Sequence, residues 1–304
     1  MLANFFKKSV PVSFVTLLLL LVFYIGVKSF GGEKGVYIEE FYLFAVRFLM
    51  FGGFLIIVSF MVSKNKLTQQ NYYALFVFTV LFGIFPNTLE VSRLSISHLL
   101  LLLGYRRIYN FQSKKDRLIK LYDSGFLLGV AFILYPLSIL YILLIYISYA
   151  LYIKTVEKEL MIPLLGFITP IFLAFVYFYL FDEVLILRNI IELNIGFNFR
   201  VMEDLFSVRI VIAFILLVSV FSSIHKLQKS DNETKNKIRL VLSHLGLSII
   251  VIVSYNYIVE ESIQFVFFPL SVTLGTLIES QQRIWLKELV MIGLLLLSFL
   301  GFII

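Results

Sequence analysis

Apolar residues occur along this chain in long runs, and polar or charged residues are concentrated in the short segments between them. A helix needs about 20 apolar residues to cross the hydrocarbon core of a bilayer. The pattern predicts eleven spans, at approximately residues 10–29, 42–62, 70–86, 89–105, 119–135, 137–153, 161–181, 205–224, 240–259, 264–279 and 288–304. No loop is long enough for a separate soluble domain. We therefore expect an all-α, polytopic transmembrane helical bundle, with residues 1–304 forming a single transmembrane domain.

Basic residues accumulate on alternate sides of these predicted spans. Nineteen of the 26 Lys and Arg residues fall on one side and five on the other, while Arg47 and Arg209 lie within spans. Because cytoplasmic loops are enriched in Lys and Arg, the N-terminus is predicted inside and the C-terminus outside. The first apolar run is too long for a signal peptide, which predicts an uncleaved first span. We expect a multi-pass membrane protein.

The composition agrees with a membrane location and changes the meaning of the net charge. Hydrophobic residues make up 60% of the chain, charged residues make up 15%, and the mean hydropathy is +0.97. The net charge of +7 is expected of basic loops that face anionic lipid. Membrane lipids are therefore the predicted partners, and nucleic acid is not.

Two predicted hairpins, at residues 70–105 and 119–153, have arms that are short for a membrane span. The hairpins turn near Pro86 and Pro136, and each arm has about 17 residues, or ~25 Å of helix. Since the hydrocarbon core is ~30 Å thick, we expect these arms to lie where the bilayer is thin or where protein covers them.

Three local patterns predict further features. The segment Tyr105–Leu121 combines helical apolar spacing with many basic residues, which predicts a helix in the cytoplasmic interface. Apolar residues of 184–195 also recur at helical spacing in a charged outer loop, which predicts an amphipathic helix on the outer surface. Gly125 and Gly129 are four residues apart, a spacing that favours close helix packing.

Arg47 and Arg209 are the most unusual residues, because each lies inside the outer end of a predicted span. Such an Arg can snorkel to the interface or pair with a nearby carboxylate such as Glu40 or Asp204. Alternatively, a guanidinium can hold a phosphate through two parallel hydrogen bonds. In the second case Arg47 and Arg209 face each other across an outward cavity, and Glu39 or Glu40 serves as a catalytic base. In the first case Glu39 and Glu40 belong to a solvated loop.

Metal and cofactor chemistry receive no support from the sequence. The chain has no Cys and only three His residues, which are His98, His225 and His244. No carboxylate completes an obvious metal site with them, and no nucleotide-binding or hydrolase motif occurs. We predict no metal site and no cofactor, and we do not expect an ATP-driven engine within this chain.

Four stretches resemble an uncharacterised multi-pass inner-membrane protein family of Bacteroidota. They are MLANFFKKSVPVSF, IFPNTLEVSRLSISHLLLLLGYRRIYNF, LYDSGFLLGVAFILYPLSILYILLIYISY and LMIPLLGFITPIFLAFVYFY. The resemblance implies a multi-pass protein of the cell inner membrane and no particular activity. A looser likeness is to multi-span glycosyltransferases that use polyprenyl-phosphate sugars and have an acidic first outer loop. It implies that Glu39 or Glu40 is the catalytic base and that Arg47 or Arg209 binds phosphate.

Three functions with a role in the cell envelope remain open from the sequence. A glycosyltransferase-like enzyme would handle a lipid-linked or phosphate-bearing substrate in an outer pocket. A structural or assembly subunit would have a filled core and an apolar face toward a membrane-protein partner. A transporter would have broken helices and a polar cavity at mid-membrane, although the low number of charges at that depth argues against ion coupling.

Overall fold

The computed structural model describes residues 1–31, 38–113, 115–152, 157–191, 208–254 and 260–303. Regular structure within these ranges is entirely helical, with no strand, which confirms the predicted all-α class. The chain forms two compact units. Unit 1 comprises Met1–Val91, Val201–Asp231 and Glu260–Ile304, and unit 2 comprises Ser92–Arg200 and Asn232–Val259. That residues 1–304 form one transmembrane domain stays a prediction.

Loops and short 3-10 turns connect thirteen α-helices in the described ranges. The helices are α1 (Leu2–Phe6), α2 (Pro11–Phe30), α3 (Ile38–Lys64), α4 (Tyr73–Ile84), α5 (Arg93–Ile108), α6 (Arg117–Leu134), α7 (Ile142–Tyr152), α8 (Ile162–Leu180), α9 (Val184–Ile191), α10 (Val208–Lys229), α11 (Asn232–Val253), α12 (Gln264–Ser280) and α13 (Ile284–Leu300).

Helix α4 is the centre of unit 1. All of its 12 residues are buried, and it packs against α2, α3, α12 and α13. Twelve residues give a helix of only about 18 Å, and Pro86 prevents its extension because proline lacks the backbone N–H that a helix interior requires. A helix this short can lie at membrane depth only where protein surrounds it. The burial of α4 therefore confirms the expectation that this hairpin arm is covered by protein.

The remaining hairpin arms are also short. Helices α5, α6 and α7 contain 16, 18 and 11 residues. By length and composition, five helical segments in the described ranges can cross a membrane: Pro11–Phe30, Ile38–Lys64, Glu159–Leu180, Asn232–Val253 and Glu261–Ser280. The structure thus supports a membrane protein, while the count of eleven spans and the orientation of the termini stay predictions.

Glycines bring α6 and α8 into close contact in unit 2, as the small-residue spacing predicts. A Cβ atom on Gly125 would lie 2.1 Å from the Pro163 carbonyl oxygen, and one on Gly129 would lie 2.3 Å from the Phe167 carbonyl oxygen. Gly166 of α8 approaches the backbone of α6 in the same way. Only a residue without a side chain allows the two backbones to come so close.

The predicted interfacial helix at Tyr105–Leu121 is wrong. Helix α5 continues to Ile108, a 3-10 turn follows, and α6 begins at Arg117 after Asp116, whose φ of 52° and ψ of 39° interrupt any continuous helix. The apolar residues that suggested one amphipathic face are mostly buried in unit 2 instead: Ile108, Phe111 and Leu121 are each at most 3% exposed.

Three basic residues of this segment form contacts within unit 2. Lys120 is buried, and its Nζ donates to the carbonyl oxygens of Asn110 and Ser113 at 3.1 and 2.7 Å. Arg107 pairs with Asp123 at 2.8 Å, and Arg117 pairs with the buried Glu159. These contacts hold the connection between α5 and α6 in place.

Helix α9 confirms that residues 184–191 are helical, and its location on the outer surface stays a prediction. Leu187 is buried, whereas Leu185 and Ile186 are exposed, and α9 packs against α8 and α6. The rest of the predicted stripe, including Ile195, lies outside the described residues.

Candidate functional site

The structure places three of the four predicted site residues on α3. Glu39 and Glu40 lie in its first turn, where Glu39 is exposed and Glu40 is partly buried. Arg47 follows two turns later and is only 6% exposed. Arg209 lies at the start of α10 in unit 1, and its side chain is outside the described part of the structure. That Arg47 and Arg209 share a cavity therefore stays a prediction.

The Arg47 guanidinium connects three segments of unit 1. One terminal nitrogen, Nη1, donates to the Ser29 hydroxyl on α2 at 2.8 Å, and Nη2 donates to the Glu90 carboxylate at 2.8 Å. Its Nε is buried and makes no hydrogen bond within the described residues. Arg47 is therefore held in a defined position, with one donor still available.

The carboxylate that pairs with Arg47 is Glu90, and not Glu40 as the sequence suggested. Glu40 and Arg47 are seven residues apart, which places them on the same helix face but about 10 Å apart along the axis. That separation is too large for an ion pair. The other suggested partner, Asp204, lies outside the described residues.

Lys28 adds a second cation to the same site. Its Nζ donates to the Asn87 side-chain oxygen at 2.8 Å and lies 3.4 Å from the Glu90 carboxylate. We call Lys28, Arg47 and Glu90 the ionic cluster. With two cations and one carboxylate, the cluster carries an excess positive charge.

The ionisation of Glu90 follows from these contacts. Burial raises the pKa of its carboxyl, but the hydrogen bond and charge of Arg47, together with Lys28, outweigh burial and lower the pKa below its ordinary value of 4.5. Glu90 is consequently an anion at neutral pH, and the cluster keeps a net charge of about +1.

The local sequence after α4 explains how Glu90 reaches Arg47. Pro86 begins a 3-10 turn that ends at Leu89, and the Thr88 hydroxyl donates to the Phe85 carbonyl oxygen at 2.6 Å. The chain then becomes extended at Glu90, with φ −77° and ψ 139°. Sequence reasoning missed Glu90, although it is the only acidic residue between the Pro86 turn and α5.

Among the described residues, the histidines do not form a metal site. No group of three or more His, Asp or Glu side chains there could hold an ion. His98 and His244 are fully buried in unit 2. The Nδ1 of His244 is 3.1 Å from the Tyr109 hydroxyl, and its ring is 4.2 Å from the Tyr105 ring. His244 thus belongs to a packed aromatic cluster.

The fold and the cluster define an all-helical protein with helices suited to a membrane and a partly buried ionic cluster in unit 1. A family model described as a family of unknown function (DUF6427) matches residues 1–304, so the chain belongs to that family. No curated protein and no solved structure matches it.

Proposed function

We propose that this protein binds a phosphate-bearing lipid or lipid-linked molecule at the ionic cluster. The observation that carries the proposal is Arg47, a buried guanidinium with an available Nε beside a second cation. Burying a cation in a membrane protein costs free energy, on the order of 2–3 kcal/mol by insertion scales. A single carboxylate does not neutralise both cations, whereas a phosphate would do so through charge-assisted hydrogen bonds.

The proposed location is the outer face of the cell inner membrane. The support is the distribution of basic residues, which predicts that α2 begins inside and ends outside, with Lys28 at the outer end. The proposed topology has eleven spans, with the N-terminus inside and the C-terminus outside. A role in the cell envelope follows from this location.

The chemistry we propose is glycosyltransferase-like. Glu39 or Glu40 would act as the catalytic base, and Arg47 with Arg209 would hold the phosphate. Glu40 shares a helix face with Arg47 and lies about two turns away, so a group linked to the bound phosphate would have to span that distance to reach the base. The looser likeness to glycosyltransferases supports the same assignment.

A second candidate is a structural or assembly subunit, and the contacts of Arg47 favour it. Arg47 connects α2, α3 and the segment after α4 through Ser29 and Glu90. A residue in that position could have a purely structural role, which is to hold these three segments of unit 1 together. The two candidates therefore make opposite predictions for a neutral replacement of the ion pair.

The test compares Arg47→Gln with the double variant Arg47→Gln/Glu90→Gln in a deletion strain. The single variant leaves Glu90 without its main partner, which destabilises the protein by about 1–3 kcal/mol. The double variant removes both charges and restores a neutral pair, so its melting temperature should return toward that of the wild type.

Ligand binding predicts that the double variant still fails to complement the deletion, because the phosphate partner is lost. Complementation by this stable, neutral pair would contradict the proposal and favour the structural subunit. Arg47→Lys is the matched control, since it retains the charge but not the two-point hydrogen bonding, and it should complement in part.

A further inference from the structure

Two 3-10 turns pack against each other beside the ionic cluster. The turn Pro86–Leu89 contacts the turn Glu260–Ile263. The Phe85 and Phe267 rings, which flank these turns, have centroids 6.0 Å apart. Since Glu90 directly follows the first turn, the contact brings Glu90 and Glu261 to the same end of unit 1. We call this place the turn junction.

In the part of the chain that the structure describes, the turn junction contains acceptors that lack hydrogen-bond donors. One carboxylate oxygen of Glu261, Oε2, is buried and accepts no hydrogen bond from the described residues. The neighbouring Ser262 is 1% exposed, and its hydroxyl has no hydrogen-bond partner there either. Ser262 is thus an almost fully buried polar side chain without a partner among the described residues.

Buried polar atoms of native proteins are nearly always satisfied, and an unsatisfied one costs about 1–3 kcal/mol. At this end of unit 1 the available atoms are of two kinds. Arg47 has a spare donor, next to the positive charge of Lys28, and Glu261 and Ser262 have spare acceptor capacity. A molecule that satisfies both must itself carry an acceptor anion and, close to it, a hydrogen-bond donor.

We infer that the turn junction recognises a phospholipid headgroup in which the phosphate carries an adjacent donor, either an ammonium or a hydroxyl group. The phosphate binds the ionic cluster, and the donor binds Glu261 and Ser262. This inference rests on the proposed function, which supplies the phosphate position, and it adds the chemistry of the group attached to the phosphate.

The experiment measures binding of three phospholipids with identical acyl chains to the full-length protein. Phosphatidylethanolamine offers an ammonium, phosphatidylglycerol offers hydroxyls, and phosphatidylcholine has the phosphate but no donor. Native mass spectrometry in a polyoxyethylene detergent gives an apparent Kd for each lipid without competition from sugar or phosphate detergents. We expect ethanolamine or glycerol lipid to bind roughly 10-fold more tightly than choline lipid, the size of a charge-assisted hydrogen bond.

Variants connect this preference to the turn junction. Glu261→Ala combined with Ser262→Ala should reduce the ratio of affinities to about one, while Glu183→Gln, at an exposed position outside the junction, should leave it as in the wild type. Glu261→Gln retains an acceptor and loses the charge. It should weaken only the ethanolamine lipid if an ammonium is the donor, and neither lipid if a hydroxyl is.

Two results overturn the inference, and both are distinct from failure of the proposed function. The first is equal affinity of the wild type for all three lipids. The second is a preference for the ethanolamine or glycerol lipid over the choline lipid that remains in the Glu261→Ala/Ser262→Ala variant. In either case the phosphate site stands if Arg47→Gln/Glu90→Gln weakens binding of all three lipids. If that variant weakens none, the proposed function itself fails.

Discussion

The close contact between α6 and α8 predicts that adding a side chain to one of its glycines destabilises the protein. Gly129→Ala would place a Cβ atom 2.3 Å from the Phe167 carbonyl oxygen and 2.6 Å from Cγ of Pro170. Carbon and carbonyl oxygen normally approach no closer than about 3.3 Å. The helices must therefore separate by about 1 Å, because one contact is with backbone and cannot rotate away.

The free-energy change follows from that separation. Overpacking costs about 1–3 kcal/mol, and a gap of about 1 Å along the rest of the seam forfeits up to half of each van der Waals contact. We expect Gly129→Ala to lower the free energy of unfolding by roughly 2–4 kcal/mol. Gly125→Ala should behave in the same way.

Gly246 of α11 provides the matched control in unit 2. A Cβ atom there meets no atom within 4 Å, and alanine is the better helix former by up to about 1 kcal/mol. Gly246→Ala should thus be neutral or stabilising. The melting temperatures of the variants are compared in one detergent, with thermal unfolding monitored by fluorescence-detected size-exclusion chromatography. A melting temperature of Gly129→Ala at or above that of Gly246→Ala would refute the packing argument.

The remaining predictions concern the charged contacts and the topology. Because the pKa of Glu90 is lowered in the folded state, its contribution to stability is complete above its ordinary value of 4.5 and is lost as the pH falls below that; the acid-induced drop in melting temperature should be smaller in Glu90→Gln. Lys120→Met should cost about 1–3 kcal/mol through lost hydrogen bonds, and the same change at the exposed Lys115 should have almost no effect on thermal melting. Glu288→Gln should cost about 1 kcal/mol, because Glu288 accepts hydrogen bonds from the first backbone N–H groups of α1 at 3.0 and 3.1 Å; an unchanged melting temperature would contradict this. An impermeant thiol reagent applied from outside should label Asn194→Cys but not Ser113→Cys, and the reverse pattern would overturn the predicted orientation.

Local chemistry explains which features the sequence could predict. Apolar runs, the turns at Pro86 and Pro136, and the glycine contact of α6 are encoded within single segments. Short hairpin arms could be inferred by counting residues alone. These features need no knowledge of where distant segments meet.

Features that depend on distant segments were missed or wrongly predicted. Glu90 becomes the partner of Arg47 only because the turn after α4 packs beside the ends of α2 and α3. The apolar residues of 105–121 have the spacing of an interfacial helix, but burial of Ile108 and Phe111 in unit 2 and the left-handed conformation of Asp116 separate them into two helix ends. Periodicity cannot distinguish burial against lipid from burial against protein.

A crystal structure grown from a lipid mesophase that contains phosphatidylethanolamine tests the central claim most directly. The proposal predicts tetrahedral phosphate density within about 3 Å of Arg47 Nε, with Lys28 on the same phosphate. Density for ordered lipids elsewhere on the protein, with Arg47 bound only by Ser29 and Glu90, would contradict the proposal. The ionic cluster would then have only a structural role in unit 1.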